Sequence, residues 1–520
     1  MSLRARAVCA IAAASLTIAT HLCAASDPLA VTTAQGKIQG KMTDDGKVRA
    51  FLGLPYAAPP VGPLRWKAPQ PPAAWRGVRS ATEFSPRCEQ WPIWKDYIFL
   101  DAGPSEDCLY LNVFTPATAN AQSRLPVMFW IHGGGYTAGA GSEPRYANTA
   151  LPLHGVVVVT INYRLGLFGF LATDDLAKEN GGSAGNYGLM DMVAALRWTK
   201  ANVDAFGGDP DNITIFGESA GSFAVSTLMA ASSARGLFEK AIGESGAAFS
   251  NVLATPALAT RARRDQEWVA SLGVHSPAEL RALPTATLIE AARKEPVGWF
   301  SPVVDGRFLT EGVPETYAAG KQAHVPLLAG WNHDERAGTL SKDMTAEKWK
   351  AFAAEHFGEH AAGFLAAFPG STDAEAVRSA DAYTTGMFIG FGTWQWIEAQ
   401  AKTGDAPVYR YRFDLPAPPS EMHPEGKYAW HSDELEYVFG TLDVRHGSTW
   451  RPEDRELSEQ MMGYWTNFAR TGDPNAENLP KWPRYDKEKQ ILVLDRTVSA
   501  GPDATRAQYE FLLAHPAPAP

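Results

Sequence analysis

The chain has 520 residues, of which 45% are hydrophobic and 20% are charged, as in an ordinary globular protein. Its formal net charge is −10 at pH 7, so its surface would repel nucleic acid, and we exclude nucleic-acid binding as a function. Length alone leaves the number of domains open, because α/β folds also run long as a single unit.

Residues 1–25 have the pattern of a cleaved secretory signal. Two arginines precede an apolar run that begins at Ala7, and small residues before Ser26 fit a signal-peptidase site. The alternatives are a membrane anchor and a lipid attached to Cys23, but His21 interrupts the run and a membrane span takes about 20 apolar residues. The leader predicts a secreted or periplasmic protein without stable membrane insertion.

No linker or repeat divides the remainder, so we interpret residues 26–515 as one domain, followed by a Pro/Ala tail at 516–520. Removal of the leader leaves only Cys88 and Cys108. In an oxidising compartment such a pair predicts one disulfide, which would stabilise the fold by about 3 kcal/mol on the chain-entropy model. Two free buried thiols are the alternative.

Apolar runs alternate with helical patterns along this domain. Strands are predicted at 127–131, 156–161, 213–216, 325–329, 408–413 and 491–494, and helices at 189–202 and 222–231. The alternation predicts an α/β fold with a central, mostly parallel sheet flanked by helices and with ligands at the carboxyl ends of the strands. Largely helical segments at 256–295 and 345–403 are expected to form a cap over that edge.

The pattern G-x-S-x-G occurs twice, so the motif alone does not identify a nucleophile. Ser183 follows a polar stretch without a strand, and we interpret it as a loop serine. Ser219 lies between a predicted strand and a predicted helix, which is the context of the nucleophile elbow in the α/β-hydrolase fold. The helix N-terminus would favour an oxyanion there. A purely structural serine is the alternative.

A glycine-rich motif lies upstream of Ser219. The sequence HGGG at 132–135 directly follows the first predicted strand of the series. Glycines let backbone N–H groups converge on one point without side chains in the way, as an oxyanion hole requires. The alternative is a flexible turn.

Longer segments around these motifs resemble the type B carboxylesterase family, which includes bacterial carboxylesterases, cholinesterases and some lipases. FGGDPDNITIFGESAG at 206–221 is similar to the active-serine signature of the family, and EDCLYLNVFTP at 106–116 is similar to its second signature. Similar phrases extend over nearly the whole mature chain. The resemblance implies an α/β-hydrolase fold with helical insertions over an active-site gorge, and hydrolysis of carboxylic esters without a metal or organic cofactor. With the leader, it implies a secreted bacterial member.

The resemblance also implies the partners of Ser219. Glu335 ends the N-x-D-E phrase at 332–335, where the family has its catalytic acid, and His431 stands at the position of the catalytic histidine. The order Ser, acid, His is the one expected downstream of an elbow serine. Ser219 would form the acyl-enzyme, His431 would act as general base, and Glu335 would orient the imidazole. The alternatives are a surface carboxylate at Glu335 and a packed loop imidazole at His431.

Further positions follow from the same resemblance. The oxyanion donors correspond to the backbone N–H groups of Gly134, Gly135 and Ala220. Two residues, Glu218 and Ser245, match positions that support the catalytic residues in similar enzymes.

The aromatic residues near Cys88 and Cys108 predict an apolar rim, because the corresponding loop of relatives borders the gorge. Trp91 and Trp94 lie in this loop, and we expect Trp299 and Phe300 to line the acyl pocket. The expected substrate is a small ester, hydrophobic or aryl. The alternative is that these rings only pack the loop onto the body.

The sequence also departs from the family pattern. Arg336 follows the predicted acid where relatives usually have glycine; we interpret it as part of a surface ion pair, with contact to a charged substrate as the alternative. The aromatic residues that follow the acid in cholinesterases are absent, which disfavours choline esters. The alternative functions are hydrolysis of amide, carbamate or lactone bonds, and a non-catalytic binding role like that of the neuroligins.

Overall fold

The computed structural model describes residues 27–516 except 96, 148–149, 251, 421–423 and 446. The predicted leader and all but the first residue of the predicted tail lie outside the described residues. Within the described part, no helix is long and apolar enough to cross a membrane.

The centre of the fold is an eleven-stranded sheet. The strands, numbered along the chain, are β1 (Ala30–Thr33), β2 (Gly36–Gln39), β3 (Lys41–Met42), β4 (Val48–Pro55), β5 (Val78–Ser80), β6 (Arg87–Cys88), β7 (Pro104–Ser105), β8 (Tyr110–Pro116), β9 (Leu125–Ile131), β10 (Val157–Ile161), β11 (Gly208–Glu218), β12 (Lys240–Glu244), β13 (Leu327–Asn332), β14 (Val408–Phe413), β15 (Gln490–Leu494) and β16 (Ser499–Pro502). The spatial order of the large sheet is β16-β15-β14-β13-β12-β11-β9-β10-β8-β4-β3. The pairs from β15 to β10 are parallel, and antiparallel strands extend the sheet at both ends. The prediction of a mostly parallel sheet is confirmed.

Helices cover both faces of the large sheet. They are α1 (Ala150–Leu153), α2 (Gly166–Phe170), α3 (Asp174–Glu179), α4 (Tyr187–Asn202), α5 (Ala220–Ala230), α6 (Leu258–Ser271), α7 (Pro277–Ala282), α8 (Thr285–Ala292), α9 (Val313–Ala318), α10 (Ala346–Phe357), α11 (Ala361–Ala367), α12 (Asp373–Thr385), α13 (Phe391–Thr403), α14 (Leu435–Phe439), α15 (Pro452–Thr471), α16 (Tyr485–Glu488) and α17 (Arg506–Ala514). A π-helical turn, Gly386–Gly390, joins α12 to α13.

Strand β9 shows how the sequence builds two cores. Val127 and Phe129 belong to the core that lies under α4, α5 and α13, whereas Met128 and Trp130 belong to the core under α15. Successive side chains of a strand point to opposite faces, so a strand buried on both faces is apolar without alternation. For this reason β9 and β10 appear in the sequence as apolar runs.

Two expectations need correction. The predicted strands did not include β12, whose short sequence contains Lys240 and Glu244 and therefore lacks a long apolar run. The segment 345–403 was predicted to form a cap, but its last helix, α13, packs on β13 and β14. Trp396 of α13 lies directly over Gly243 of β12, where an added Cβ would be 2.2 Å from its ring. This helix therefore belongs to the layer that covers the sheet.

Cys88 and Cys108 form a disulfide, as predicted, with their Cα atoms 4.9 Å apart. The bridge closes the loop that carries the predicted aromatic rim. Both cysteines are buried in the larger core.

Candidate active site

Ser219 lies in a sharp turn between β11 and α5. Its backbone has φ 53° and ψ −124°, a conformation that costs an L-residue about 1–3 kcal/mol. The flanking glycines are required by contact with β9: a Cβ at Gly217 would lie 2.6 Å from the Ile131 carbonyl oxygen, and one at Gly221 only 2.0 Å from it. The Ser219 N–H donates to the Glu244 carbonyl of β12 at 2.9 Å. The turn thus fixes the serine at the carboxyl edge of the sheet.

The structure brings Ser219, His431 and Glu335 together. His431 Nε2 lies 3.0 Å from Ser219 Oγ, and His431 Nδ1 lies 2.5 Å from Glu335 Oε2. Glu335 follows β13, is buried, and accepts the Asn332 N–H on its other oxygen at 2.8 Å. The three side chains form one continuous hydrogen-bonded chain from the carboxylate to the hydroxyl.

A second carboxylate lies beside the imidazole. Glu218 Oε1 is 3.4 Å from His431 Nε2 and accepts a 2.6 Å hydrogen bond from the Ser432 hydroxyl. Burial lowers the pKa of His431, but Glu218 and Glu335 together outweigh it and raise this pKa to about 9. Burial raises the pKa of Glu218 itself, while His431 and Ser432 counteract that rise.

The predicted oxyanion loop lies against the nucleophile. A Cβ at Gly133 would be 3.1 Å from Ser219 Cβ, and Gly134 and Gly135 both have positive φ, 96° and 61°. Within the described part of the chain, their N–H groups have no hydrogen-bond acceptor. Ala220 is the first residue of α5, where backbone N–H groups lack intrahelical partners. These donors are available to an oxygen bound next to Ser219.

His132 holds the start of this loop. Its ring stacks on Tyr163 at 4.4 Å, and the Tyr163 hydroxyl donates to the His132 carbonyl at 2.9 Å. Burial lowers the pKa of His132 to about 4, so the ring is neutral at pH 7. His132 therefore supports the loop by packing rather than by charge.

Two more buried carboxyl groups lie under the elbow. Glu434 accepts a 2.5 Å hydrogen bond from the Asn332 side-chain amide and lies 3.4 Å from the Ser245 hydroxyl. Glu244 accepts a 2.7 Å bond from Trp465 Nε1 of α15. Burial raises the pKa of Glu244 to about 8 and that of Glu434 well above its usual range. Glu244 is therefore mostly protonated, and uncharged, at pH 7.

The sequence predicted no role for several of these residues. Asn332, Ser432 and Glu434 each contact a predicted site residue or its immediate support. All three lie within four residues of Glu335 or His431, so proximity to the predicted residues was the available signal. The bond between Asn332 and Glu434 depends on the chain after β14 meeting the end of β13, and the bond between Ser432 and Glu218 depends on its meeting the end of β11.

Aromatic residues of the disulfide loop border the glycine loop. The Trp94 ring is 4.0 Å from a Cβ built on Gly135, and the Tyr97 hydroxyl is 3.3 Å from one built on Gly134. The Trp94 and Tyr97 rings contact each other with centroids 5.1 Å apart. Val297, 44% exposed, adds an apolar side chain next to Gly135.

The other residues predicted to line the rim or the acyl pocket are Trp91, Trp299 and Phe300. Trp91 is half-buried and packs on the larger core. Trp299 lies under the guanidinium of Arg264, 3.9 Å from its ring centroid. Phe300 is only 3% exposed and packs on Trp268, so it forms part of the core behind Trp299.

The other two sequence interpretations have opposite outcomes. Ser183 is a buried loop serine, as predicted, and its hydroxyl donates to Asp305 Oδ2 at 2.5 Å. The surface ion pair predicted for Arg336 is wrong: its guanidinium lies 4.3 Å from the centroid of the Phe388 ring, and no ion pair links it to a carboxylate in the described part of the chain.

Among the described residues, no group of three or more His, Cys, Asp and Glu is arranged to hold a metal ion.

Comparisons with known proteins show the family of the chain. A family model described as the carboxylesterase family matches residues 27–512. The para-nitrobenzyl esterase of Bacillus subtilis (strain 168) is 37% identical over 499 residues, which cover 92% of this chain and 98% of that protein. The fumonisin B1 esterase of Sphingopyxis macrogoltabida is 36% identical over 90% of this chain and 87% of its own. Liver carboxylesterase 1 of Oryctolagus cuniculus is 35% identical over 95% and 94%.

Solved structures are similar as well. A carboxylesterase of Geobacillus stearothermophilus superposes with a TM-score of 0.80 at 35% identity, covering 93% of this chain and 100% of that one. A thermophilic PNB esterase gives a TM-score of 0.79 at 34% identity, with 94% and 100% covered. These similarities confirm the predicted α/β-hydrolase fold.

Replacing Glu244 with glutamine should stabilise the fold at alkaline pH. The pKa of Glu244 is about 8 in the folded chain against 4.5 for an ordinary glutamate, so the wild type loses stability as pH rises from 4.5 through 8. Glu244→Gln cannot ionise and avoids this loss. We expect a gain of about 1–3 kcal/mol at high pH and little gain at pH 5, since each pKa unit is worth about 1.4 kcal/mol.

Thermal unfolding at pH 5 and pH 8.5 measures this difference. Glu359→Gln serves as the control, because the Glu359 side chain is 90% exposed. A gain of equal size at both pH values would contradict the prediction.

Proposed function

The chain belongs to the carboxylesterase family and is a carboxylic ester hydrolase, and we propose that it acts through an acyl-enzyme on Ser219, with His431 and Glu335 completing a catalytic triad. The observation that carries this proposal is the continuous hydrogen-bonded chain from Glu335 through His431 to the Ser219 hydroxyl. The strained turn at Ser219 supports it, because such strain is found where a side chain must be presented to a substrate.

In the first half of the reaction, His431 Nε2 takes the proton of the Ser219 hydroxyl, and Ser219 Oγ attacks the ester carbonyl carbon. Negative charge then develops on the carbonyl oxygen. The backbone N–H groups of Gly134, Gly135 and Ala220 stabilise it, and loss of one such donor typically costs about 10²- to 10³-fold in rate.

In the second half, the imidazolium of His431 returns its proton to the leaving alcohol, and an acyl group remains on Ser219. His431 then deprotonates a water molecule, whose oxygen attacks the acyl carbon. The bond between that carbon and Ser219 Oγ breaks, the acid leaves, and His431 returns the proton to Ser219 Oγ. Glu335 keeps the imidazole in the orientation that both halves need, and its own position is fixed by the Asn332 N–H.

We propose a hydrophobic or aryl ester as the preferred substrate. Trp94, Tyr97 and Val297 place an apolar surface beside the glycine loop, on which a ring or alkyl chain can lose its contact with water. A relative 37% identical to this chain is called a para-nitrobenzyl esterase, and its name specifies an aryl-bearing ester.

Ser219→Ala should abolish ester hydrolysis, because no other group supplies the nucleophile. We expect kcat for p-nitrophenyl acetate and p-nitrophenyl butyrate to fall by about 10⁴-fold or more. Release of nitrophenol measures the rate, and phenyl acetate compared with ethyl acetate tests the aryl preference.

Ser183→Ala is the matched control, since Ser183 occupies the other G-x-S-x-G motif and hydrogen-bonds Asp305. It should retain activity. Loss of activity in Ser183→Ala, or equal activity in Ser219→Ala and the wild type, would refute the assignment of the nucleophile.

The pH dependence should reflect the two carboxylates around His431. Because Glu218 and Glu335 raise the pKa of His431 to about 9, the imidazole is protonated at lower pH and cannot accept the Ser219 proton. We expect kcat/KM for a neutral ester to decrease as pH falls below 9, with a midpoint above 6.5. Glu218→Gln removes the carboxylate that lies 3.4 Å from Nε2 and should move this midpoint to lower pH. An unchanged midpoint would contradict the prediction.

We also propose that the protein is exported after cleavage of residues 1–25. The pattern of that segment and the Cys88–Cys108 disulfide support an oxidising compartment. Expressed in a bacterial host with its full sequence, the exported protein should begin at Ser26 and contain no free thiol. N-terminal sequencing and thiol titration of the extracellular and periplasmic fractions measure this. An intact leader with two reactive thiols would contradict it.

A further inference from the structure

Arg336 is an exposed cation beside the proposed catalytic residues. It directly follows Glu335, and its guanidinium lies 4.3 Å from the centroid of the Phe388 ring. Contact with an aromatic face stabilises a guanidinium without neutralising its charge. Since no described carboxylate forms an ion pair with Arg336, its positive charge remains available to a ligand.

Phe388 connects this cation to the imidazole. Its ring meets the His431 ring edge to face, with centroids 5.1 Å apart. Phe388 lies in the π-helical turn, which packs closely on α17: a Cβ at Gly390 would be 2.3 Å from the Tyr509 hydroxyl. The Phe388 ring therefore contacts both Arg336 and His431.

The charge of Arg336 reaches the reaction centre. Burial lowers the pKa of His431, Glu218 and Glu335 raise it, and the positive charge of Arg336 opposes that rise. A bound group that contacts Arg336 would therefore lie in the same electrostatic field as the imidazole.

The surroundings define the rest of such a ligand. Met387, on the same turn, is 36% exposed, and Val297 beside the glycine loop is 44% exposed, so both elements also present an apolar side chain to a ligand. Glu218 and Glu335 add negative charge close to the serine, and the whole chain has a net charge of −10. Without Arg336, an anionic group on the substrate would be repelled by these carboxylates and would have no arginine to bind it.

Building on the proposed function, we propose that Arg336 is a specificity-determining residue that binds a carboxylate carried by the ester substrate, on its acyl or its alcohol part. The apolar rim takes the uncharged portion, and the guanidinium takes the anionic end in a charge-assisted hydrogen bond. The substrate class is thus an amphipathic ester with one free carboxylate, such as a hemiester of a dicarboxylic acid.

Two pairs of esters test this. Mono-p-nitrophenyl glutarate and its neutral methyl ester differ in the acyl part, and 3-carboxyphenyl acetate and 3-carbamoylphenyl acetate differ in the alcohol part. For each pair, the measured quantity is kcat/KM of the anionic ester divided by kcat/KM of the neutral ester. In Arg336→Gln this ratio should fall about twofold to fivefold for at least one pair, which is the size expected for an exposed charge pair. The change should be mainly in KM. Arg336→Lys should keep part of the ratio, and added salt should reduce it in the wild type.

Arg307→Gln is the control, because Arg307 is an exposed arginine that lies near Gly182, in the loop of Ser183. Its ratio should equal that of the wild type. The role of Arg336 would be overturned if the ratio were the same in wild type, Arg336→Gln and Arg336→Lys for both pairs while the neutral esters were still hydrolysed. That result would not contradict the proposed function. Failure of wild type on all four esters would instead count against the proposed function. Should Arg336→Gln not fold, Arg336→Lys and the salt dependence of the wild-type ratio decide the question.

Discussion

The close crossing of α5 over the end of β9 is the constraint on which the site depends. With a Cβ at Gly217 or Gly221, the Ile131 carbonyl would be less than a van der Waals distance away, so the helix could not follow the strand so abruptly. Because the helix starts there, Ser219 is forced to positive φ, and its N–H points back to the Glu244 carbonyl on β12. The neighbouring strands on both sides hold this conformation, and the glycine loop after β9 is brought to the same place by the same strand. Nucleophile and oxyanion donors therefore have a common structural origin.

The electrostatics around that turn combine opposing effects. Four glutamates, Glu218, Glu244, Glu335 and Glu434, are buried close to the serine. Ionising all of them without cations would be very unfavourable in a low dielectric. The fold avoids this in two ways: burial raises the pKa values of Glu244 and Glu434 and so favours their protonated forms, whereas Glu218 and Glu335 face the imidazole, which is stabilised as a cation. The carboxylates near His431 thus favour the imidazolium of the intermediate, but they make the resting imidazole a base only at higher pH.

Much of this could be predicted from the sequence because it is local. A pattern of a few residues is enough to predict each of three features: an apolar strand, a turn with two glycines around a serine, and a glycine triplet after another strand. The contacts that sequence did not reveal are made between distant segments. The stacking of Arg336 on Phe388 joins positions 52 residues apart, and no local pattern favours a ring over a carboxylate as the partner of an arginine. Helix α13 has the composition of the predicted cap, and only the fit of Trp396 on Gly243 places it on the sheet.

The π-helical turn at Gly386–Gly390 has an evolutionary consequence. A π turn contains one residue more than the α-helix around it, and an α-helix rotates by about 100° per residue. Deletion of a single residue there would restore a regular helix and swing Phe388 away from His431, leaving α12 and α13 in place on either side. A one-codon change could in this way separate the arginine from the imidazole, and a one-codon insertion could join them. Under the role proposed for Arg336, the substrate preference would then depend on the length of this helix, and the proposed catalytic residues would stay the same.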